Sequence, residues 1–242
     1  MKNNTIICPF CKFESESFLA GGLKFGILKK YKVIGAGFRD NKRCPRCSSN
    51  DRDRHLYLYL LMFTNIFFDK GKNVLHVAPE KCLKNKMKNS NIRYYTIDLN
   101  GRDGAEKMDI CNMKFKENNF DWIICPHVLE HINDDQLAMK EILRVLKDDG
   151  LLIATVPYST ILKETVEDKE AIDSELREKK FGQKDHVRIY SKQDFIQRLV
   201  ESGFYVEPLN LSDLFGESFS RKFALIKDEQ IFICSKTVNN IK

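Results

Sequence analysis

No stretch of this chain stays apolar for the roughly 18–20 residues that a bilayer crossing needs. The opening residues, Met1-Lys2-Asn3-Asn4-Thr5-Ile6-Ile7-Cys8, lack the apolar centre of a secretory signal, so a cytoplasmic location with no membrane partner is the expectation. Internal repeats and low-complexity tracts are missing, which argues against solenoids and disordered linkers. No run of basic residues interleaved with aromatics marks a nucleic-acid groove. The formal charge of +6 comes from scattered Lys and Arg mixed with 34 acidic residues, as on an ordinary solvated surface. No H-E-x-x-H pattern is present, so a helical zinc-protease site is not expected. A nucleic-acid partner is therefore possible but not favoured.

Cysteine is not scarce. Cys8-Pro9-Phe10-Cys11 and Cys44-Pro45-Arg46-Cys47 form two C-x-x-C pairs separated by 32 residues, while Cys82, Cys111, Cys125 and Cys234 stand alone. In a reducing compartment, paired spacing points to metal rather than disulfide. Two tight knuckles bring four thiolates to one tetrahedral ion, the closed geometry of structural zinc. Each knuckle contains a proline that pre-sets its turn, and the spacer has room for a β-hairpin. Lys12 and Ser48 stand where such knuckles often carry glycine. The expectation is a zinc ribbon over residues 1–50, with Cys8, Cys11, Cys44 and Cys47 as ligands.

The 242 residues leave room for one substantial α/β domain beside that module, and 43% hydrophobic content suits a packed core. Residues 51–68 read as a helix. From Lys72 onward strand and helix signals alternate, which argues for a mostly parallel sheet. The strands are expected at 73–78, 92–97, around 107–110, at 120–125 and at 151–156. Helices are expected at 80–89 and at 134–147, the latter with Leu137, Ile142, Val145 and Leu146 on one face. A charged segment over about 159–190, mainly helical between Thr165 and Lys180, reads as an insertion. A helix at 191–202, capped by Ser191, then leads to two closing strands within 204–209 and 224–235, expected as an antiparallel edge hairpin.

The most informative run is Phe120-Asp121-Trp122-Ile123-Ile124-Cys125-Pro126-His127-Val128-Leu129-Glu130-His131-Ile132. It pairs a buried strand with a polar turn, and open α/β sheets bind ligands outside the carboxyl ends of their strands. This run is similar to the fourth-strand segment of class I S-adenosylmethionine (SAM)-dependent methyltransferases. The chain more specifically resembles a bacterial group of type 11-like methyltransferase-domain proteins with an N-terminal zinc ribbon. The marks are C-P-x-C twice, Arg52-Asp53-Arg54-His55, Val74-Leu75-His76-Val77-Ala78-Pro79-Glu80, Val128-Leu129-Glu130-His131-Ile132 and Phe181-Gly182-Gln183-Lys184-Asp185-His186-Val187-Arg188.

The resemblance implies a Rossmann-like sheet with an antiparallel last strand over residues 51–242, and SAM across the ends of the first, second and fourth strands. His76, Ala78, Pro79 and Glu80 would form the first loop. Asp98 would meet the ribose and Asp109 and Ile110 the adenine, with Leu99 also at the cofactor and Cys125 and His127 at the fourth-strand end. The family's first loop is usually rich in glycine, whereas His76–Glu80 contains none; Ala78 is the smallest residue available there. A dinucleotide site tolerates this loss less well, because pyrophosphate needs the close backbone approach that glycine allows.

The implied activity is O- or N-methyl transfer by in-line displacement to a small-molecule, sugar or glycan-precursor acceptor. His127, His131 and His186 are the candidate bases. Tyr158, Asp185, His186, Arg188 and Arg54 are the expected substrate contacts, and Arg52, Arg54 and His55 could reach the cofactor carboxylate. Alternatives are an RNA methyltransferase gripping its substrate with the ribbon, or a non-catalytic SAM-binding protein. Cys125-Pro126 reverses the Pro-Cys order of cytosine-5 methyltransferases, and the Asn/Asp-Pro-Pro-aromatic motif of amino-methylating nucleic-acid enzymes is missing. Cys125 therefore reads as a packing thiol.

Overall fold

The computed structural model describes residues 5–168 and 170–238. Its centre is a seven-stranded sheet. The strands are β1 (Asn73–Val77), β2 (Arg93–Asp98), β3 (Glu106–Lys107), β4 (Phe120–Pro126), β5 (Leu146–Thr155), β6 (Tyr205–Leu209) and β7 (Ile231–Ser235), in the order β6-β7-β5-β4-β1-β2-β3. Strands β1 to β5 run parallel, and β7 lies antiparallel between β5 and β6. This is the Rossmann-like arrangement expected from the sequence.

The strands are apolar on both faces because helices cover both faces. On one side Leu75, Ile123 and Leu152 pack under α3 (Asp135–Val145) and α4 (Lys192–Glu201) through Met139, Ile142, Phe195 and Leu199. On the other, Val74, Ile124 and Ile153 meet α1 (Asp51–Phe63) and α2 (Lys81–Lys88) through Leu56, Leu60, Leu83 and Met87. Each pair of neighbouring strand residues points to opposite layers, as a pleated strand requires.

Four local expectations need correction. In α3 the buried face is Ala138, Met139, Ile142 and Val145, while Leu137 is exposed; the i, i+3, i+4 period runs through Ala138 instead. Between Thr165 and Lys180 only Ser174–Phe181 is helical, and Val166–Glu167 is a strand. The closing strands do pair antiparallel, but they are no hairpin: α5 (Leu211–Phe223) lies between them, kinked at Gly216 where φ is +79°. The strand expected at 151–156 begins already at Leu146, with Asp148-Asp149-Gly150 within β5 as an irregularity between Leu146 and Leu151. A side chain at Gly150 would come within 2.9 Å of the Phe120 carbonyl, so this close approach of β5 to β4 needs glycine.

In the N-terminal region, Ile6–Ile7 pairs with Glu14–Ser15, and Leu19–Gly21 pairs with Arg39–Arg43. The chain between those hairpin strands is not confined to a separate module. Val33–Ile34 pairs with Tyr158–Ser159 and so joins a second small sheet, completed by Arg188–Ser191 and Val166–Glu167. Arg54 supplies another tie. Its five N–H groups donate to the carbonyls of Asn41, Lys42, Ser49, Phe223 and Ala224, so one buried guanidinium holds the ribbon to the end of α5. Among the described residues, no helix is long and apolar enough to cross a membrane.

Candidate functional site

The carboxyl ends of β1, β2 and β4 open on one side of the sheet, and the polar residues that follow them converge there. After β1 the chain turns at Ala78, whose φ of +45° is the left-handed conformation that glycine adopts without strain. Alanine carries it at a cost of about 1–2 kcal/mol. The Ala78 N–H donates to the Ile97 carbonyl at 2.8 Å, which fixes the turn against β2. His76 is fully buried, between the Tyr94 hydroxyl at 2.8 Å and the Glu80 carboxylate at 3.1 Å, so it orients Glu80 rather than facing a ligand.

Asp98 ends β2. Its carboxylate accepts from the backbone N–H of Asn100 at 2.8 Å and pairs with the exposed Arg102 at 3.0 Å. Burial alone would raise its pKa, but Arg102 and the backbone donors outweigh burial and hold the carboxyl below its usual range. It is thus an ionised acceptor at a strand end. Leu99 beside it is exposed, Asp109 lies exposed with its carboxylate on the Cys111 N–H, and Ile110 is buried.

At the end of β4, the Cys125 side chain is buried in the core below the sheet, where burial pushes its thiol well up; only its backbone faces the strand end. His127 follows with φ +50°, a strained conformation for a non-glycine residue. Its ring lies 3.4 Å from Glu130 and 3.8 Å from Glu229. Burial and Arg52 push the His127 pKa down, yet Glu130 and Glu229 prevail and it is raised. Glu130 is held down to about 2 against its burial, chiefly by His127.

These side chains form a buried polar cluster. His55, His127, Glu130 and Glu229 are almost completely buried, yet none of their ring nitrogens or carboxylate oxygens has a hydrogen-bond partner. One oxygen of Asp53 and the Nε of Arg52 are in the same condition, while the other Asp53 oxygen accepts from the Asn50 N–H at the start of α1. An unpaired buried polar group costs about 1–3 kcal/mol. So dense a set of buried polar groups without hydrogen-bond partners calls for a polar occupant such as water, an ion or a ligand. Gly35 closes one wall: with φ +80°, a side chain there would press to 3.2 Å from His127 and 3.3 Å from Glu229. All five histidines of the chain lie in or against this region. A cleft of about 1380 Å³ lies elsewhere, between the first N-terminal strands and α5, and contains none of these residues.

Several residues expected at the substrate are engaged in structure. Arg188 is buried and donates to the carbonyls of Leu129, Ile132 and Asn133 and to Glu167, so it clamps the short turn Leu129–His131 from behind. The Tyr158 hydroxyl donates to the Asp228 carbonyl, one residue before Glu229. Arg54 has no free donor. These three position the site's backbone instead of offering groups to a ligand. Asp185 is exposed, while His186 is buried and rests edge to face on His131, ring centres 4.7 Å apart. Glu130, Glu229, Asp53 and Gly35 carry no role in the sequence reading. Glu130 and Asp53 lie inside the motifs, but Glu229 and Gly35 sit in polar or glycine-containing stretches with no local pattern, and only the tertiary fold brings them to His127.

The N-terminal cysteines form a separate cluster. Cys8 and Cys47 sulfurs are 3.5 Å apart and those of Cys11 and Cys44 3.7 Å, with all four within 4.8 Å and none in a disulfide. A tetrahedron of sulfurs about 2.3 Å from zinc has edges of about 3.8 Å, so the four thiols fit one such ion. The two knuckles repeat each other: Lys12 and Ser48 both adopt positive φ and both donate back to the first cysteine's carbonyl.

A sheet of this order with an acidic residue at the end of β2 matches the Rossmann-like architecture of class I SAM-dependent methyltransferases. Comparison with known proteins agrees: residues 64–154 match the family model described as "Methyltransferase domain". Residues 64–154 therefore carry a methyltransferase domain. A Methanocaldococcus jannaschii protein known only as "Uncharacterized protein MJ0638" is 36% identical over 89 residues, spanning 34% of this chain and 39% of that relative. Among solved structures, a chain of the complex between the Haloferax volcanii Trm112 methyltransferase activator and a provisionally described methyltransferase has a TM-score of 0.51 at 15% identity. That match covers 76% of this chain and 91% of that one. The [4+2]-cyclase SpnF has a TM-score of 0.50 at 16% identity, covering 79% and 85%. At such identities the likeness is one of fold, and a cyclase on the same fold shows that the reaction must be argued from the site.

Proposed function

We propose that the protein transfers the methyl group of SAM to an oxygen or nitrogen of a small-molecule, sugar or glycan-precursor acceptor held at the polar cluster beside His127. The observation that carries this reading is the set of buried, unpartnered polar atoms of His55, His127, Glu130 and Glu229 next to the strand ends. A buried cluster of carboxylates and imidazoles suits a compact hydroxylated or amino acceptor better than a polyanion.

The residues fit the cofactor in parts. Asp98 is an ionised acceptor suited to both ribose hydroxyls, with Arg102 exposed and free to swing aside. Leu99, Asp109 and Ile110 would cover the adenine, and the Ala78–Glu80 turn would approach the methionine portion. Asp53, Glu80 and Arg52 supply opposite charges for its amino and carboxylate groups. Bound there, SAM supplies an electrophilic methyl on a sulfonium. His127 would take the acceptor proton as the new bond to the methyl forms and the sulfur–methyl bond breaks, with Glu130 stabilising the imidazolium. His131 and His186 would bound the acceptor side. One structural zinc in the ribbon would be held by Cys8, Cys11, Cys44 and Cys47.

Release of S-adenosylhomocysteine over a panel of hydroxylated and amino acceptors tests the reading. The expected result is turnover with at least one acceptor and a loss of about 10²–10⁴ in kcat for His127→Asn. Turnover untouched by that substitution would remove His127 as base. Steeply salt-dependent binding to RNA would favour the RNA alternative instead.

A further inference from the structure

Beyond the four-cysteine cluster, a second group of metal-ligating side chains lies at the edge of the buried polar cluster. Glu130, His131 and His186 each present one donor atom, all within 4.8 Å of one another. Proximity of such residues alone would not make a site. Here, however, Glu130 is 1% exposed and neither of its carboxylate oxygens has a hydrogen-bond partner; its nearest counter-charge is the His127 ring at 3.4 Å, and the anion also faces His131 and His186. His131 is oriented as a ligand would be. Its Nδ1 lies 3.1 Å from the Asp185 carbonyl oxygen, which can only accept; the proton therefore sits on Nδ1 in the neutral ring. That leaves a lone pair on Nε2, and Nε2 is the atom 3.9 Å from Glu130. A ring held by a backbone carbonyl through its outer nitrogen is the usual support of a metal-bound histidine.

The backbone keeps the group together without using its side chains. The Val187 N–H donates to the Glu130 carbonyl at 3.0 Å, fastening the loop that carries His186 to the Leu129–His131 turn. Arg188 holds the same turn from the opposite side.

We infer that Glu130, His131 and His186 bind one divalent transition-metal ion. Two imidazoles and a carboxylate suit zinc, iron(II), cobalt or manganese better than calcium. Ligand atoms about 2.1 Å from an ion lie about 3.0–3.4 Å apart, so the group needs to contract by less than 1 Å between His131 and Glu130. Three protein ligands leave a coordination position open. Glu130 also lies 3.4 Å from His127, so that position is where an acceptor hydroxyl would bind with its pKa lowered. That role rests on the methyl-transfer reading; the site itself does not.

Cobalt(II) titration of the untagged, metal-stripped full chain, followed by visible absorption, separates the two clusters because only thiolates give an intense charge-transfer band. The expected result is a one-equivalent component with d–d absorption and no thiolate band, besides the thiolate-bound cobalt. Glu130→Gln and His186→Ala should each weaken that component by about 100-fold or more, while the thiolate band persists and shows that the chain still folds. Cobalt bound through thiolates alone would overturn the inference, as would a non-thiolate component of unchanged affinity in both variants. Neither outcome depends on SAM, so failure here would leave the methyl-transfer reading intact.

Discussion

Two residues in left-handed backbone conformations frame the site, Ala78 after β1 and His127 after β4. They differ in what the strain serves. His127 places a buried imidazole between two carboxylates, so its conformation goes with its chemistry. Ala78 makes a turn that the family ordinarily gives to glycine, and its methyl group makes no polar contact. Ala78→Gly should therefore relieve strain and stabilise the fold by about 1 kcal/mol, raising the thermal midpoint by about 2–4 °C. An unchanged or lower midpoint would mean that the turn is not strained. Asp98 was legible in the sequence because a lone acidic residue ends a β-rich run. Glu229 was not, because burial of a Glu in a polar run depends on α5 and β7 closing over it.

At the scale of elements, β4 carries the organisation of the sheet at both ends. At its start Asp121 accepts from Lys72 and Lys147 at 2.9 Å and from the Asn73 N–H at 2.8 Å, joining β1, β4 and β5 away from the site. Burial would raise its pKa, but Lys147, the Asn73 amide and Lys72 lower it. A carboxyl with a folded pKa below its unfolded one adds stability at pH above the unfolded value. That stability is lost as pH falls through the folded one, below about 4. Denaturant unfolding at pH 7 and pH 3 should show a smaller drop in stability for Asp121→Asn than for the wild type; equal drops would contradict the linkage.

Strands β1, β2, β4 and β5 and helices α3 and α4 were readable because apolar pattern and length agree in each. The segment after Pro157 was not. There the charged residues 159–183 suggest helix, whereas pairing with Val33–Ile34 and Arg188–Ser191 draws Tyr158–Ser159 and Val166–Glu167 into a small sheet and leaves only Ser174–Phe181 helical. No local pattern records such a long-range partner. The gap between β6 and β7 hid α5 for a related reason: Gly216 breaks its period. The same non-local pairing brings Gly35 to His127, so one wall of the polar cluster comes from the part of the chain read as a separate ribbon.

For the molecule as a whole, the cysteine cluster and the polar cluster are therefore mechanically joined. The ribbon reaches the domain through Arg54 on one side and Val33–Ile34 on the other. Cys44→Ser, which removes a fully buried sulfur from the cluster, should lose zinc and destabilise the whole chain by several kcal/mol instead of only freeing its first 50 residues. Calorimetric unfolding would show one transition at lower temperature; a normal transition with only the zinc lost would show the ribbon to be independent.

The most direct test of cofactor binding at the ends of β1, β2 and β4 is titration calorimetry with S-adenosylhomocysteine on wild type and Asp98→Ala. Loss of hydrogen bonds to a charged carboxylate at about 1.5–3 kcal/mol corresponds to a roughly 10- to 150-fold weakening. The expected result is one equivalent bound by the wild type and that loss in the variant. No binding of either SAM or its demethylated product by the wild type, or equal binding by the variant, would contradict the site described at these strand ends.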